Sequence, residues 1–322
     1  MNRKTSIAWD LLVKTFRWVL LAGNLSRAQF GSTLFDIPVH ARASAMGESF
    51  VAVANDAYAP YFNPAAVAFM QGMNFAVGYH PQNYFVSQNA NIVSLAGVFS
   101  AAYLGNLGIT YTEQNILHNN RFTDPSLDGV YTYDVQHRIL SISSAGEITK
   151  NLALGFNFKS YTGKFSNLKQ VKPGIFPAIN LLDLSGAYFD IGILYGKEFG
   201  DKPDPRQRIT LGSSYSNMNI GLAFQTGQLL EASRIWRNGA AYRYYYRSPQ
   251  SFWRSFSSTV SLEWRYLANQ RLTNKNVYAV GWENTFAQIF SLRAGSIYRP
   301  MSTFSSREKT WQFHWGAGLD LP

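Results

Sequence analysis

VSLEWRY, residues 260–266, puts Val260, Leu262, Trp264 and Tyr266 at one parity and Ser261, Glu263 and Arg265 at the other. Successive side chains of a strand face opposite sides of a sheet, so this period of two predicts a strand with one apolar and one polar face. The pattern recurs outward from it. Leu152, Leu154, Phe156 and Phe158 alternate with Ala153, Gly155, Asn157 and Lys159, and Ile209, Leu211 and Tyr215 with Thr210, Gly212, Ser214 and Ser216. Trp311, Phe313, Trp315, Ala317, Leu319 and Leu321 alternate with Gln312, His314, Gly316, Gly318 and Asp320. Twelve such segments follow one another, near 73–80, 90–98, 106–114, 134–146, 151–163, 187–199, 207–216, 234–246, 258–268, 276–285, 290–298 and 310–321.

The fold class is therefore all-β, and the choice lies between a soluble sandwich and a transmembrane antiparallel β-barrel. The non-apolar face is rich in Gly, Ser and Asn, where a solvated sheet face favours Lys, Glu and Thr. The apolar face carries aromatics near strand ends, Tyr79, Tyr111, Tyr161, Tyr195, Tyr266, Tyr298 and Trp311, as interfacial girdles do. Segment lengths fit the roughly 9–11 residues of a tilted spanning strand. Connections alternate between tight turns, such as 148–150 and 286–289, and long loops at 115–133, 164–186 and 217–233, the asymmetry of outer-membrane barrels. Composition agrees: aromatics are 16% and charged residues 15% of the chain, against roughly 25% charged in soluble domains. No apolar run reaches the roughly 18–20 residues of a spanning helix.

Charges on the polar parity carry more information than those in loops. Arg243, Glu263, Arg265, Glu283 and Arg293 fall on four consecutive segments, all out of phase with the apolar face. Facing lipid, a midplane Arg or Lys would cost roughly 2–4 kcal/mol. Facing the lumen they can form a salt-bridge ladder, bind a substrate or dock a plug. Among the loops, 165–184 is too apolar for a solvated connection: Phe165, Ile175, Phe176, Pro177, Ile179 and Leu182 are candidates for covering the barrel mouth or docking a partner. YRYYYRSPQSFWRSF, residues 242–256, reads as a strand end and a girdle with Arg at the headgroups.

One stretch has no strand character: ARASAMGESFVAVANDAYAPYFNPAAVAFM, residues 41–70. Residues 29–72 are assigned to an N-terminal plug, with 46–54 readable as a short strand or a helix, and 73–322 to the barrel. Arg42 with Met46-Gly47, then Asn55-Asp56, then Tyr61, Asn63 and Pro64, in this order and spacing, resemble the N-terminal signature of the PorV/PorQ family of outer-membrane proteins, itself related to FadL-type channels. Asn55 stands where the family usually has Asp, and Phe62 where it has Trp. The resemblance implies residence in the bacterial outer membrane and a role in type IX secretion. The partners implied are membrane lipid, secretion-system components and the C-terminal signal domains of cargo. The alternative is a FadL-like channel taking a hydrophobic small molecule. It also implies roughly fourteen strands, so twelve leaves a hairpin to be found, a smaller barrel or a truncated chain.

The remaining signals exclude function classes. The chain has no Cys, which removes disulfide scaffolds, thiolate metal sites and Cys nucleophiles. Its five His are scattered, so no metal or other cofactor is expected. There is no phosphate loop, G-x-S-x-G elbow or H-E-x-x-H, and no enzyme activity is expected; His137 and His314 are the strand histidines nearest to a catalytic role. Net charge is +10, without a basic block, which argues against nucleic acid. Residues 1–28 read as a signal peptide: Arg3 and Lys4, an apolar run from Trp18, and small residues at Ser26 and Ala28.

Overall fold

The computed structural model describes residues 39–84, 87–101, 105–124, 129–172, 184–200, 206–219, 234–247, 253, 255–268, 276–299 and 310–319. The expected signal peptide and Ile175, Phe176, Pro177, Ile179 and Leu182 lie outside them. Twelve strands form one antiparallel sheet in sequence order: β1 Met73–Tyr84, β2 Ser87–Ala101, β3 Gly105–Asp124, β4 Gly129–Thr149, β5 Leu152–Lys172, β6 Leu184–Phe199, β7 Arg206–Asn219, β8 Arg234–Tyr246, β9 Phe256–Ala268, β10 Asn276–Phe286, β11 Phe290–Arg299 and β12 Thr310–Leu319. Each corresponds to one segment of period two. The sheet is a barrel wall wrapped around the N-terminal segment 39–72, which carries the helices α1 (Ala41–Ala45) and α2 (Ala59–Phe62) and a 3-10 turn (Pro64–Phe69). The residues between α1 and α2 form turns, neither strand nor helix.

Alternation decides which side chains turn inward. In β9, Ser261, Glu263, Arg265 and Leu267 are buried while Val260, Leu262 and Tyr266 are exposed. Exposed large apolar residues occur on the outer face of every strand, including Leu95 of β2 and Ile109 of β3. One expected girdle residue is on the other side: Tyr161 shares the parity of Asn157 and Lys159, is buried, and its hydroxyl meets His137 Nδ1 at 2.8 Å.

The long loops are shorter than expected because the strands overrun them. β3 has 20 residues and β4 and β5 have 21 each, so 115–124, 129–133 and 164–172 are ladder, and Phe165 is a strand residue paired with Val135. Period two does not reveal this: 115–124 (NILHNNRFTD) and 164–172 (KFSNLKQVK) carry no strict alternation in sequence, while the backbone pairing continues. The ladder there is irregular, with register shifts between Ile116 and Asn120 and between Thr132 and Asp134. At the other end the connections are tight. Lys150–Asn151 joins β4 to β5, and Ala287–Ile289 joins β10 to β11 through two left-handed residues, Ala287 (φ 51°) and Gln288 (φ 56°).

No ladder joins β1 to β12 among the described residues. Val77 of β1 is 78% exposed, against 44% for Val260 in the interior strand β9. The difference identifies β1 as an edge whose outer side chains lack a neighbouring strand to pack against.

Candidate functional site

The site is the interface between the N-terminal segment and the inner wall. Local chemistry shapes the segment first. His40 caps α1, its Nδ1 accepting from Ala43 N–H at 3.1 Å. The helix ends with Gly47 N–H donating to Ser44 C=O and Glu48 N–H to Ala43 C=O, the paired bonds of a Schellman close. That close needs a left-handed residue, and Gly47 supplies it at φ 61°. Glu48 follows at φ 66°, a strained conformation for a residue with a Cβ. At the second motif, Asp56 Oδ1 accepts from Tyr58 N–H, and Asn55 Oδ1 and Asp56 Oδ2 both accept from Arg42 Nη1, at 2.8 and 2.9 Å. At the third, Asn63 caps the 3-10 turn by accepting from Ala65 N–H, and Pro64 occupies the first turn, where its missing N–H costs nothing. His40, Phe50, Tyr58 and Phe62 pack edge-on or tilted as the segment's own core.

Three glycine pairs in the wall receive this backbone. Gly155 and Gly192 lie directly opposite in the β5–β6 ladder, Gly212 and Gly239 in β7–β8, and Gly281 and Gly295 in β10–β11. A Cβ on Gly155 would sit 2.3 Å from the Pro64 carbonyl carbon, one on Gly212 2.5 Å from the Val51 oxygen, and one on Gly295 2.1 Å from the Met46 carbonyl carbon. The Asn63-Pro64-Ala65 and Met46-Gly47 motifs therefore each occupy a slot that only paired glycines leave open. Asn63 Nδ2 fixes the first slot by donating to Val51 C=O and Ile193 C=O. Asn106 on β3 holds the end of the 3-10 turn through the carbonyls of Val67, Ala68 and Met70.

The expected lumen charges are all on the inner side. Glu263 accepts from the N–H groups of Phe50 and Val51 at 2.7 and 2.8 Å. Arg265 donates to Glu263, to the Glu48 carboxylate at 2.6 Å and to the Glu48 carbonyl. Arg42 grips Glu283 with two bonds of 2.8 and 2.7 Å, and Arg293 adds a third at 2.6 Å. Arg243 donates to Thr259 Oγ1 at 3.1 Å. Four of the five thus form two networks with the segment, one through Glu263, Arg265 and Glu48 and one through Arg42, Glu283 and Arg293, while Arg243 bonds to neither. Tyr61 presents its ring to Lys159 Nζ, 5.8 Å from the ring centre.

Sequence reading missed Glu48, Arg299, Lys159, Asp190 and Asn106. Arg299 donates to Glu48. Lys159 pairs with Asp190 at 2.7 Å, and Asp190 also accepts from Asn157 Nδ2 and Asn217 N–H. The signal for the two strand ions was present: both share the parity of the small, polar face. Burial would push the Glu48 carboxyl up, but Arg299 and Arg265 outweigh it and hold it at about 2. Burial likewise opposes ionised Asp56, and His40 with Arg42 overcomes it, holding that carboxyl well below the usual range.

Beside the segment lies a cavity of about 510 Å³, lined among others by Arg42, Asp56, Arg243, Glu283, Ala76 of β1 and Gly318 of β12. A smaller one, about 70 Å³, shares Arg243 and Asn55 with it and adds Phe69, Leu194, Arg208 and Thr259. Among the described residues no group of three His, Cys, Asp or Glu is placed to hold a metal ion.

No family model matches the chain, and no curated protein matches it. Among solved structures it is similar to a Pseudomonas aeruginosa FadL homologue, with TM-score 0.42 and 13% identity over 84% of this chain and 82% of that one. It is also similar to the β domain of the Bordetella autotransporter Brka, with TM-score 0.28 and 12% identity over 77% of this chain and 96% of that one. Likeness at this level leaves the argument with the strand ladder and the docked segment.

Proposed function

We propose that the chain is a bacterial outer-membrane β-barrel that takes part in type IX protein secretion, binding or shuttling cargo at the cell surface. The membrane part rests on the outer face. Trp264, Tyr278, Tyr298 and Trp311 lie side by side in register across β9 to β12. Tyr246, Phe256, Phe286 and Phe290 form the matching row near the tight turns. From Tyr278 to Phe286 is eight residue steps, about 27 Å along the strand. At a tilt of about 40° that is roughly 21 Å, close to the height of an outer-membrane apolar band. On β3 and β4 the outward face turns polar at Glu113, which accepts from Tyr111, Asn115, Gln136 and Arg138, as expected above the lipid.

The observation that carries the secretion reading is the coincidence of the family-like motifs with the docking contacts. Arg42, Met46-Gly47 and Asn63-Pro64 meet the wall itself, and Asn55-Asp56 hold the Arg42 guanidinium that grips Glu283. A fastened segment favours a protein acting through its surface. The rival channel for hydrophobic compounds requires an apolar path past the segment. The larger described cavity is lined by Arg42, Arg243 and Arg293 with Asp56 and Glu283, which weighs against it, while the apolar lining of the smaller one is confined to about 70 Å³.

The test is an affinity pull-down from detergent-solubilised outer membranes, with a tag in a surface loop. Co-recovery of a translocon barrel or of proteins bearing a secretion-signal domain supports the proposal. Recovery of the barrel alone with bound apolar small molecules sinks it in favour of the channel, and absence from the outer-membrane fraction sinks both.

A further inference from the structure

We propose that Arg208 and Arg243 form an oxyanion-binding site at the tight-turn end of the lumen, taking the carboxylate or phosphate group of a small molecule. The two arginines are directly opposite in the β7–β8 ladder and both belong to the inner parity. Like charges at such a position destabilise a sheet, so the pair is poorly explained as scaffolding. Neither makes an ion pair among the described residues: Arg243 donates to Thr259 Oγ1, and Arg208 lies over the Phe69 ring, 5.6 Å from its centre. Glu198 is opposite Arg208 in register but forms no ion pair with it. The carboxylate that attracts Arg243 is Glu283, and it is already held by Arg42 and Arg293, while Arg42 itself repels Arg243.

Among the described residues that line the two cavities, Arg42, Arg208, Arg243 and Arg293 thus meet two carboxylates, Asp56 and Glu283. The unmatched charge sits at the small cavity, which Arg208 and Arg243 line together with Leu194, Phe69 and Ala241. Two arginines paired across one ladder and lining one partly apolar slot match the two-pronged recognition of an oxyanion. The assignment uses these residues alone and stands or falls separately from the secretion reading.

The test is calorimetric titration of the full chain in nonionic detergent at constant ionic strength, with inorganic phosphate in one series and acetate in another. One-to-one saturation by phosphate assigns a phosphoryl group, and by acetate a carboxylate. Arg208→Gln and Arg243→Gln should each weaken binding at least about tenfold, whereas Arg138→Gln on the outer face should leave it unchanged. In anion-free buffer neither inner variant should lower the Tm, because each removes a repulsion. The assignment is overturned by absence of saturable heat with both anions, or by affinities within twofold in both inner variants. A variant that unfolds or melts several degrees lower without anion marks its arginine as structural and overturns it equally.

Discussion

Arg265→Met removes the guanidinium that ties the wall to the segment at three points, Glu263, the Glu48 carboxylate and the Glu48 carbonyl. Arg265, Glu48 and Glu263 are all at most 5% exposed, so the pair is a buried one, and breaking such a pair costs about 3–5 kcal/mol. Two compensations place this case at the low end. Glu263 keeps the N–H groups of Phe50 and Val51, and Glu48 keeps Arg299. A loss of about 3 kcal/mol corresponds to roughly 150-fold in the equilibrium between docked and released segment. The chain has no cysteine, so Ala43→Cys, at a position fully buried under the wall, introduces a unique thiol. When reclosure outpaces modification, maleimide labelling tracks the released population. Labelling should accelerate on the order of 100-fold in the Arg265→Met background, with the far-UV strand signal unchanged. Acceleration below about threefold would refute the reasoning and assign docking to the glycine slots alone.

Gly155→Val, whose Cβ would meet backbone rather than a movable side chain, should release the segment outright, while Gly146→Val, with nothing within 4 Å of its Cβ, should label like the parent. Asn106→Ala leaves the carbonyls of Val67, Ala68 and Met70 without their shared donor and should weaken docking by about 1–3 kcal/mol in the same labelling assay. Glu48 and Asp56 are both held below their ordinary range, so the docked state favours the ionised forms. Their contribution is complete above the ordinary Glu value of 4.5 and is lost as pH falls through about 2. Pepsin nicking within residues 39–72 should therefore rise steeply between about pH 4 and pH 2, and a flat profile would show that these carboxylates do not hold the segment. Leu262→Arg, at an outward position 59% exposed, should cost about 2–4 kcal/mol in bilayer unfolding, and a neutral result would refute lipid contact there.

All twelve strands were legible because one face of each meets an apolar surrounding and the other meets small or polar neighbours. VSLEWRY is the clearest case: its parity assigned Glu263 and Arg265 to the inner side, and the ladder agrees. Where the alternation lapses, period two fails. Residues 115–124 and 164–172 carry no strict alternation, so they read as loop although the backbone pairs. Tyr161 departs for the converse reason: an aromatic near a strand end reads as a girdle, yet its phase with Lys159 puts it inside, on His137.

The interface was harder to read because its two halves are unremarkable apart. Met46-Gly47 needs glycine for the helix close, and Asn63-Pro64 reads as a helix start. Gly155, Gly192, Gly281 and Gly295 read as weak points in strands, where a glycine ordinarily costs order and packing. Placed opposite one another they become slots, and the cost in the strands is offset by backbone approach that no side chain would permit. The ions obey the same logic. Glu263 is spent on two backbone N–H groups of the segment, a use with no signature in its own strand. Register, which brings Gly281 against Gly295 and Arg208 against Arg243, is the quantity that a single sequence hides. The same register that builds an attractive slot in one ladder builds a repulsive arginine pair in another, and a fold that retains such a repulsion inside its lumen has reason to find an anion there.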